Sequence, residues 1–169
     1  MARRVRPARP GEGARLGEIY LESGRAAWAG HLPVEGLAEV RSPTSDWERQ
    51  ISAPDVIVLV GELDDEPAAL AVLCASADPD SDSAEVALLD RLYTEPAAWG
   101  RGLGRSLLAR AMEVLRKRGF REVTLWTAEW NGSRGFYEAL GWKQDGAARE
   151  KTFAGRTFTE VRYRTEVPR

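Results

Sequence analysis

The sequence predicts an α/β fold in which helices cover a mixed sheet, and three observations carry that expectation. The β-branched run Asp55-Val56-Ile57-Val58-Leu59-Val60, turned by Asp64–Pro67 into the apolar stretch 68–77, has the pattern of an antiparallel hairpin. A strand-like segment ending at Thr94 passes through a Gly/Arg-rich loop into an amphipathic stretch, so the apolar period changes from about 2 to about 3.6. The element order β, helices, β-β-β, α, β, α, β-β contains no repeat and no linker, which suits one layered α/β domain over 1–169. A chain of 169 residues is long enough to bury a sizeable core.

Taken in order, Val5–Ala8 forms a short strand before the Pro10-Gly11 break. Residues 12–29 follow as a helix with Leu16, Ile19, Tyr20 and Ala27 on one side, interrupted by Gly30 and Pro33. Short helices are expected over Val34–Val40 and Ser45–Ser52, the second burying Trp47 and Ile51, with Thr44, Ser45 and Asp46 as candidate caps. After the hairpin, the acidic segment 78–83 is a solvated loop, and a long strand runs over about 84–94. The next helix buries Leu103, Leu107, Ala111, Met112 and Leu115 and ends in Arg116-Lys117-Arg118-Gly119, basic residues complementing the dipole and a glycine terminating it. Glu122–Ala128 is a strand and Ser133–Leu140 a short helix closed by Gly141. Ala147–Phe153 and Phe158–Thr165 make a terminal hairpin around Ala154-Gly155-Arg156.

The richest stretch is Thr94-Glu95-Pro96-Ala97-Ala98-Trp99-Gly100-Arg101-Gly102-Leu103-Gly104-Arg105-Ser106. Its glycines admit close backbone approach and dihedrals denied to other residues. The first amides of the following helix lack intrahelical partners, and their dipole, with Arg101 and Arg105, favours a phosphate or pyrophosphate. A mononucleotide P-loop requires lysine where Arg105 stands and glycine where Trp99 stands. A dinucleotide fingerprint requires a third glycine at Leu107 and a place in the first strand–helix unit. Both patterns fail.

Composition narrows the function classes. Lys+Arg 24 against Asp+Glu 26 gives a net charge of −2, which supplies no argument for nucleic acid or an anionic membrane as partner. Cys74 is the single cysteine and sits in an apolar run, so a structural thiol is expected, not a disulfide or a nucleophile. His31 stands alone, which supports neither a metal site nor a Ser/His relay. The basic start of the chain is followed by no apolar stretch, and no run approaches membrane-spanning length; a reduced, cytoplasmic protein is the expectation.

With these features in view, the chain resembles the GNAT superfamily of acetyl-CoA-dependent N-acyltransferases. The resemblance rests on Leu92-Tyr93-Thr94-Glu95-Pro96, on Trp99 to Arg105, and on Asn131-Gly132-Ser133-Arg134-Gly135-Phe136-Tyr137-Glu138-Ala139-Leu140-Gly141-Trp142. Gly102 and Gly104 fill the glycine positions of the family's acyl-donor motif, while Trp99 replaces its initial Gln or Arg. The resemblance implies a mostly antiparallel sheet of six to seven strands with a central splayed parallel pair, near 84–94 and 122–128, and helices on both faces. It implies acetyl-CoA as cosubstrate without a metal, an amine acceptor, and room for a homodimer. The pantetheine arm would pair with backbone at Leu92, Tyr93 and Thr94, and the pyrophosphate would lie on the amides of Gly100, Arg101, Gly102, Leu103, Gly104, Arg105 and Ser106.

The same resemblance implies direct attack of a neutral amine on the thioester in a ternary complex. A backbone N–H near Leu92 would serve the oxyanion, and Tyr137 would protonate the departing thiolate. Leu88 falls where many relatives carry a glutamate base; Asp90, two residues on and so on the same strand face, is the candidate, ahead of Glu85, Glu129 and a water chain. The family's asparagine falls on Trp130 or Asn131. Trp28, His31, Trp130 and the terminal hairpin are expected around the acceptor. A CoA-binding sensor of the same fold, without turnover, is the alternative function.

Overall fold

The computed structural model describes residues 1–169. Thirteen segments follow one another: β1 (Arg3–Pro7), α1 (Gly13–Trp28), α2 (Val34–Glu39), α3 (Thr44–Ser52), β2 (Ile57–Leu63), β3 (Glu66–Ala75), β4 (Val86–Thr94), a 3-10 turn (Pro96–Ala98), α4 (Leu103–Lys117), β5 (Glu122–Ala128), α5 (Arg134–Ala139), β6 (Lys143–Phe153) and β7 (Arg156–Glu166). The strands form one seven-stranded sheet in the order β1-β2-β3-β4-β5-β7-β6. Only β4 and β5 are parallel; every other neighbouring pair is antiparallel. This is the mixed α/β architecture that the residue pattern predicts.

Both faces of the sheet are covered. Leu103, Leu107, Leu108, Ala111 and Leu115 of α4 pack with Leu59, Ala71 and Leu73 on one face, joined there by Tyr137 and Trp142. Leu16 and Ile19 of α1 and Trp47 of α3 pack against Val58, Val60, Leu70 and Val72 on the other. Alternate residues of β2 and β3 thus serve opposite cores, the period-2 signature of a sheet buried on both sides. Asp64 and Asp65, at φ 51 and 68, form the two-residue turn between β2 and β3, a tight primed-turn geometry that acidic side chains tolerate well.

Beyond shifted strand ends, such as β1 at Arg3–Pro7, four details depart from the sequence reading. The core position near the end of α1 is Trp28, while Ala27 is exposed, because the Trp28 ring folds back over Gly24 and would collide with any Cβ there, at 2.5 Å. No side chain caps α3; instead Glu48 reaches from α3 to the start of α1, accepting from Gly13 N–H at 2.7 Å and Gly11 N–H at 3.1 Å. β6 begins at Lys143, but its pairing with β7 breaks between Gln144 and Ala148, where Gly146 takes φ +90. The acidic loop is more than a solvated connection. Asp78 and Asp80 hold the buried guanidinium of Arg162 at 3.2 and 2.6 Å, and Asp145 holds it at 2.7 Å.

The β4–β5 pair positions the site. Their pairing is confined to Val86↔Glu122, Ala87↔Val123 and Leu88↔Thr124; beyond it the strands diverge, leaving the β5-facing edge of β4 from Leu89 to Thr94 unpaired. On the other edge, the register with β3 steps from Val72↔Arg91 to Leu73↔Leu89, so Asp90 is the extra residue of a β-bulge. Asp90 and Arg91 both line the opening gap.

Candidate active site

The gap between β4 and β5 is a cleft of about 530 Å³ that runs from Asp90 and Leu92 to Thr94, Trp99 and Tyr137. At its upper end the chain leaves β4, makes the 3-10 turn and enters α4 through two glycines in the left-handed region, Gly100 at φ +73 and Gly102 at φ +78. A side chain at either position would cost about 1–2 kcal/mol in backbone strain. Gly102 stands at the helix N-cap without a side-chain cap, so the N–H groups of Leu103, Gly104 and Arg105 have no acceptor in the protein. Ser106 differs, since both its N–H and its hydroxyl donate to the Gly102 carbonyl, at 3.1 and 3.2 Å.

Gly104 keeps the loop open. A Cβ there would stand 3.5 Å from Phe136 and 3.8 Å from Thr94 Oγ1, so a methyl fits but a large side chain fills the space between β4, α4 and α5. The exposed guanidiniums of Arg101 and Arg105 make no ion pair with a carboxylate. Arg3, which the sequence reading did not single out, donates from β1 to the Arg101 carbonyl at 3.2 Å and lies against Gly102. Trp99, half-exposed, donates its indole N–H to the Thr94 carbonyl at 2.6 Å and pins the turn to the end of β4.

Tyr137 sits lower in the cleft, 8% exposed and packed edge-on against Phe136 and Trp142 at 5.3 and 5.7 Å. Tyr137 lines the cleft. Burial pushes the phenol above its ordinary value, so Tyr137 is protonated throughout the neutral range. The same cause raises Tyr93, whose ring meets Tyr20 at 5.1 Å and Trp28 at 6.3 Å on the α1 face.

The candidate bases separate by position. Asp90 lines the cleft, with Arg91 Nε at 3.8 Å as its nearest cation. Glu85 pairs with Arg121 at 3.5 Å and Glu129 is exposed; neither lines the cleft. Asn131 lines it and uses its carbonyl to accept from Ser133 N–H at 3.0 Å. Trp130 does not line this cleft and stacks on His31 with ring centroids 4.6 Å apart. Cys74, partly buried opposite Leu88, has its thiol raised by burial and stays neutral.

A second cavity of about 350 Å³ continues from the cleft and shares Asp90, Trp126 and Asn131 with it. Trp126 is held firmly. Its indole N–H donates to Asp78 at 3.2 Å, and Arg149 and Arg162 lie over its ring at 4.2 and 5.4 Å.

A family model for the acetyltransferase (GNAT) family matches residues 19–142, which include the splayed strands, the glycine loop and the Phe136-Tyr137 segment. The chain belongs to the GNAT acetyltransferase family. An uncharacterized N-acetyltransferase of Methanocaldococcus jannaschii is 39% identical over 61 residues, a stretch covering 36% of this chain and 27% of that relative. The PaiA N-acetyltransferase of Thermoplasma acidophilum, solved with coenzyme A, superposes with a TM-score of 0.82 at 20% identity over 98% of this chain and 99% of that one. The yncA protein of Salmonella typhimurium, solved with acetyl-CoA, gives 0.78 at 19% identity over 100% and 96%. These likenesses establish the fold as the GNAT fold.

Of the residues that the family resemblance implies for the acyl donor, Leu92, Tyr93, Thr94 and Asn131 line this cleft, while Gly100 to Ser106 form the loop and helix start that follow β4. Arg3, Trp126, Arg149 and Glu160 are the neighbours the sequence reading missed. Arg3 lies 98 residues from its partner Arg101, and the other three come from strands that only the sheet topology brings together. No helix is long and apolar enough to cross a membrane, and no group of three or more His, Cys, Asp or Glu gathers as a metal site.

Proposed function

We propose that this GNAT protein transfers an acetyl group from acetyl-CoA to a primary amine by direct attack in a ternary complex. The observation that carries the reading is the combination of unpaired amides at the start of α4 with an unpaired β4 edge leading to Tyr137. The pyrophosphate would rest on the N–H groups of Leu103, Gly104 and Arg105, with Gly100 and Gly102 allowing its approach and Arg101, Arg105 and Arg3 supplying charge. The pantetheine arm would continue the sheet along Leu92 and Tyr93, which places the thioester between the two strands near Asp90.

A free alkylamine has a pKa near ~10.4, so it must shed a proton before attack. Asp90, on its bulge at the junction of the two cavities, is the residue that would take that proton directly or through water. The amine nitrogen then bonds to the acyl carbon, the C–S bond breaks, and the thiolate leaves with a proton. Tyr137 would hydrogen-bond to the departing sulfur. Its raised phenol makes full transfer to a thiolate whose acid lies near ~8.5 uphill, so Tyr137 would stabilise the leaving sulfur as a hydrogen-bond donor, and the second proton lost from nitrogen as the amide forms would end on the thiol.

Leu88 in place of a carboxylate favours the alternative of a CoA-binding sensor. Incubation with acetyl-CoA and a panel of amines separates the two readings, with free thiol and N-acetyl product both measured. Stoichiometric thiol and acetylated amine mark an enzyme; saturable acetyl-CoA binding without either product marks a sensor.

A further inference from the structure

The acceptor-side cavity carries information about what it admits. It meets the donor cleft at Asp90, Trp126 and Asn131, while Lys151, Phe153 and Phe158 line it and not the donor cleft and form its outer wall. Its volume of about 350 Å³ suits a small molecule. Aromatic rings from three parts of the chain face it: Trp28 meets Phe153 edge-on at 5.0 Å, and Trp130 meets Phe158 at 5.3 Å.

The charges in that wall are unequal. Glu160 is buried and already paired with Arg149 at 3.1 Å, and Arg149 lies over the Trp126 ring. Arg91 is spread over the faces of Tyr20 and Trp47 at 5.4 and 5.0 Å, beside Asp90. Lys151 has no carboxylate within ion-pairing distance. Strand alternation puts Arg149, Lys151 and Phe153 on one side of β6, so an ammonium free to bind an anion stands next to aromatic surface. With Arg149 and Glu160 cancelling, Arg91 and Lys151 remain against Asp90, a net positive wall that disfavours a polyamine or a lysine-rich segment.

We infer that the acceptor is a small amine that also carries an anionic group on an apolar or aromatic body, the chemistry of an α-amino acid or a close analogue. Lys151 takes the anionic group at the outer wall, the aromatic rings take the body, and the amine points to Asp90 at the junction with the donor cleft. This inference rests on the acyltransferase reading above. The amine nitrogen forms the new C–N bond as the thioester C–S bond breaks; the first proton lost from the ammonium leaves by Asp90, the second ends on sulfur, and CoA departs as the thiol.

Two matched probes test it: L-phenylalanine and phenethylamine, which differ by the carboxylate. Each is titrated into the CoA-loaded protein by calorimetry and offered as acceptor with acetyl-CoA. The expected result is at least tenfold tighter binding and a lower KM for phenylalanine. Lys151→Met erases that preference, weakening phenylalanine about tenfold, the size of one charge-assisted hydrogen bond, at unchanged acetyl-CoA affinity. Lys151→Glu reverses it. Equal or tighter binding of phenethylamine to the wild-type protein overturns the inference while leaving the acyltransferase reading intact. Absence of acetyl-CoA binding overturns both.

Discussion

The two halves of the cleft are built in opposite ways. The half proposed to take the acyl donor is made of backbone: unpaired amides at the start of α4, two left-handed glycines and a bare strand edge, nearly all from one continuous stretch between Leu92 and Ser106. The half proposed to take the acceptor is made of side chains, from α1, β4, β5, β6 and β7, with Arg149 and Arg162 both against the Trp126 ring. A backbone site asks only that glycines and a helix start follow one another, so its specification is local. A side-chain site depends on which strands the sheet sets side by side, and its members share no spacing.

The largest effect is expected where backbone approach itself is blocked. Gly104→Trp would fill the space between Thr94 and Phe136 and lower acetyl-CoA affinity by more than about a hundredfold, whereas Gly104→Ala, whose methyl meets ordinary contacts, would change it only a few-fold. Calorimetric titration of both variants checks this; equal losses would mean that conformation, not space, is what the glycine provides.

Next comes the framework of the acceptor half. Arg162→Met would leave Asp78 without its guanidinium and Asp145 with Arg164 alone, at a cost of about 3 kcal/mol in chemical denaturation. The effect carries a pH signature. Arg162 draws the Asp80 carboxyl down to about 2, and the N–H of Ala147 with Arg162 and Arg164 lowers Asp145 despite partial burial, which pushes it up. Carboxylates held below their unfolded values contribute fully above about pH 3.9 and lose that contribution as pH falls toward 2. The gap between wild type and Arg162→Met should therefore narrow through that window, and a gap constant with pH would detach the network from stability.

Smaller effects fall on chemistry and charge. Tyr137→Phe should slow turnover about a hundredfold with acetyl-CoA affinity nearly constant, measured by single-turnover acetylation. An unchanged rate would leave Tyr137 as packing beneath Phe136 and Trp142. Arg3→Ala should weaken acetyl-CoA only about threefold at low salt and less at high salt, since Arg3 is exposed and screened.

Legibility in the sequence follows the same division. The glycine loop, α4 and the β2–β3 hairpin were readable because period, turn chemistry and helix start are short-range signals. β1 was placed two residues late: Arg3 and Arg4 show no apolar alternation, and the buried Arg6 is tolerated only through Glu62 at 2.6 Å and Glu12 at 2.6 Å, partners from elsewhere in the chain. The acidic segment 78–83 looked merely solvated because its partner Arg162 lies some eighty residues away. The bulge at Asp90 was equally invisible, since it is a property of β3 and β4 in register rather than of either strand.

The most direct test of a backbone-built donor site is titration of the wild-type protein with acetyl-CoA, ATP and NAD in parallel. Saturable binding of acetyl-CoA, with ATP and NAD at least tenfold weaker, is the predicted result. Preference for ATP or NAD, or no binding of acetyl-CoA, would contradict the assignment of the glycine loop and the unpaired β4 edge to a CoA thioester.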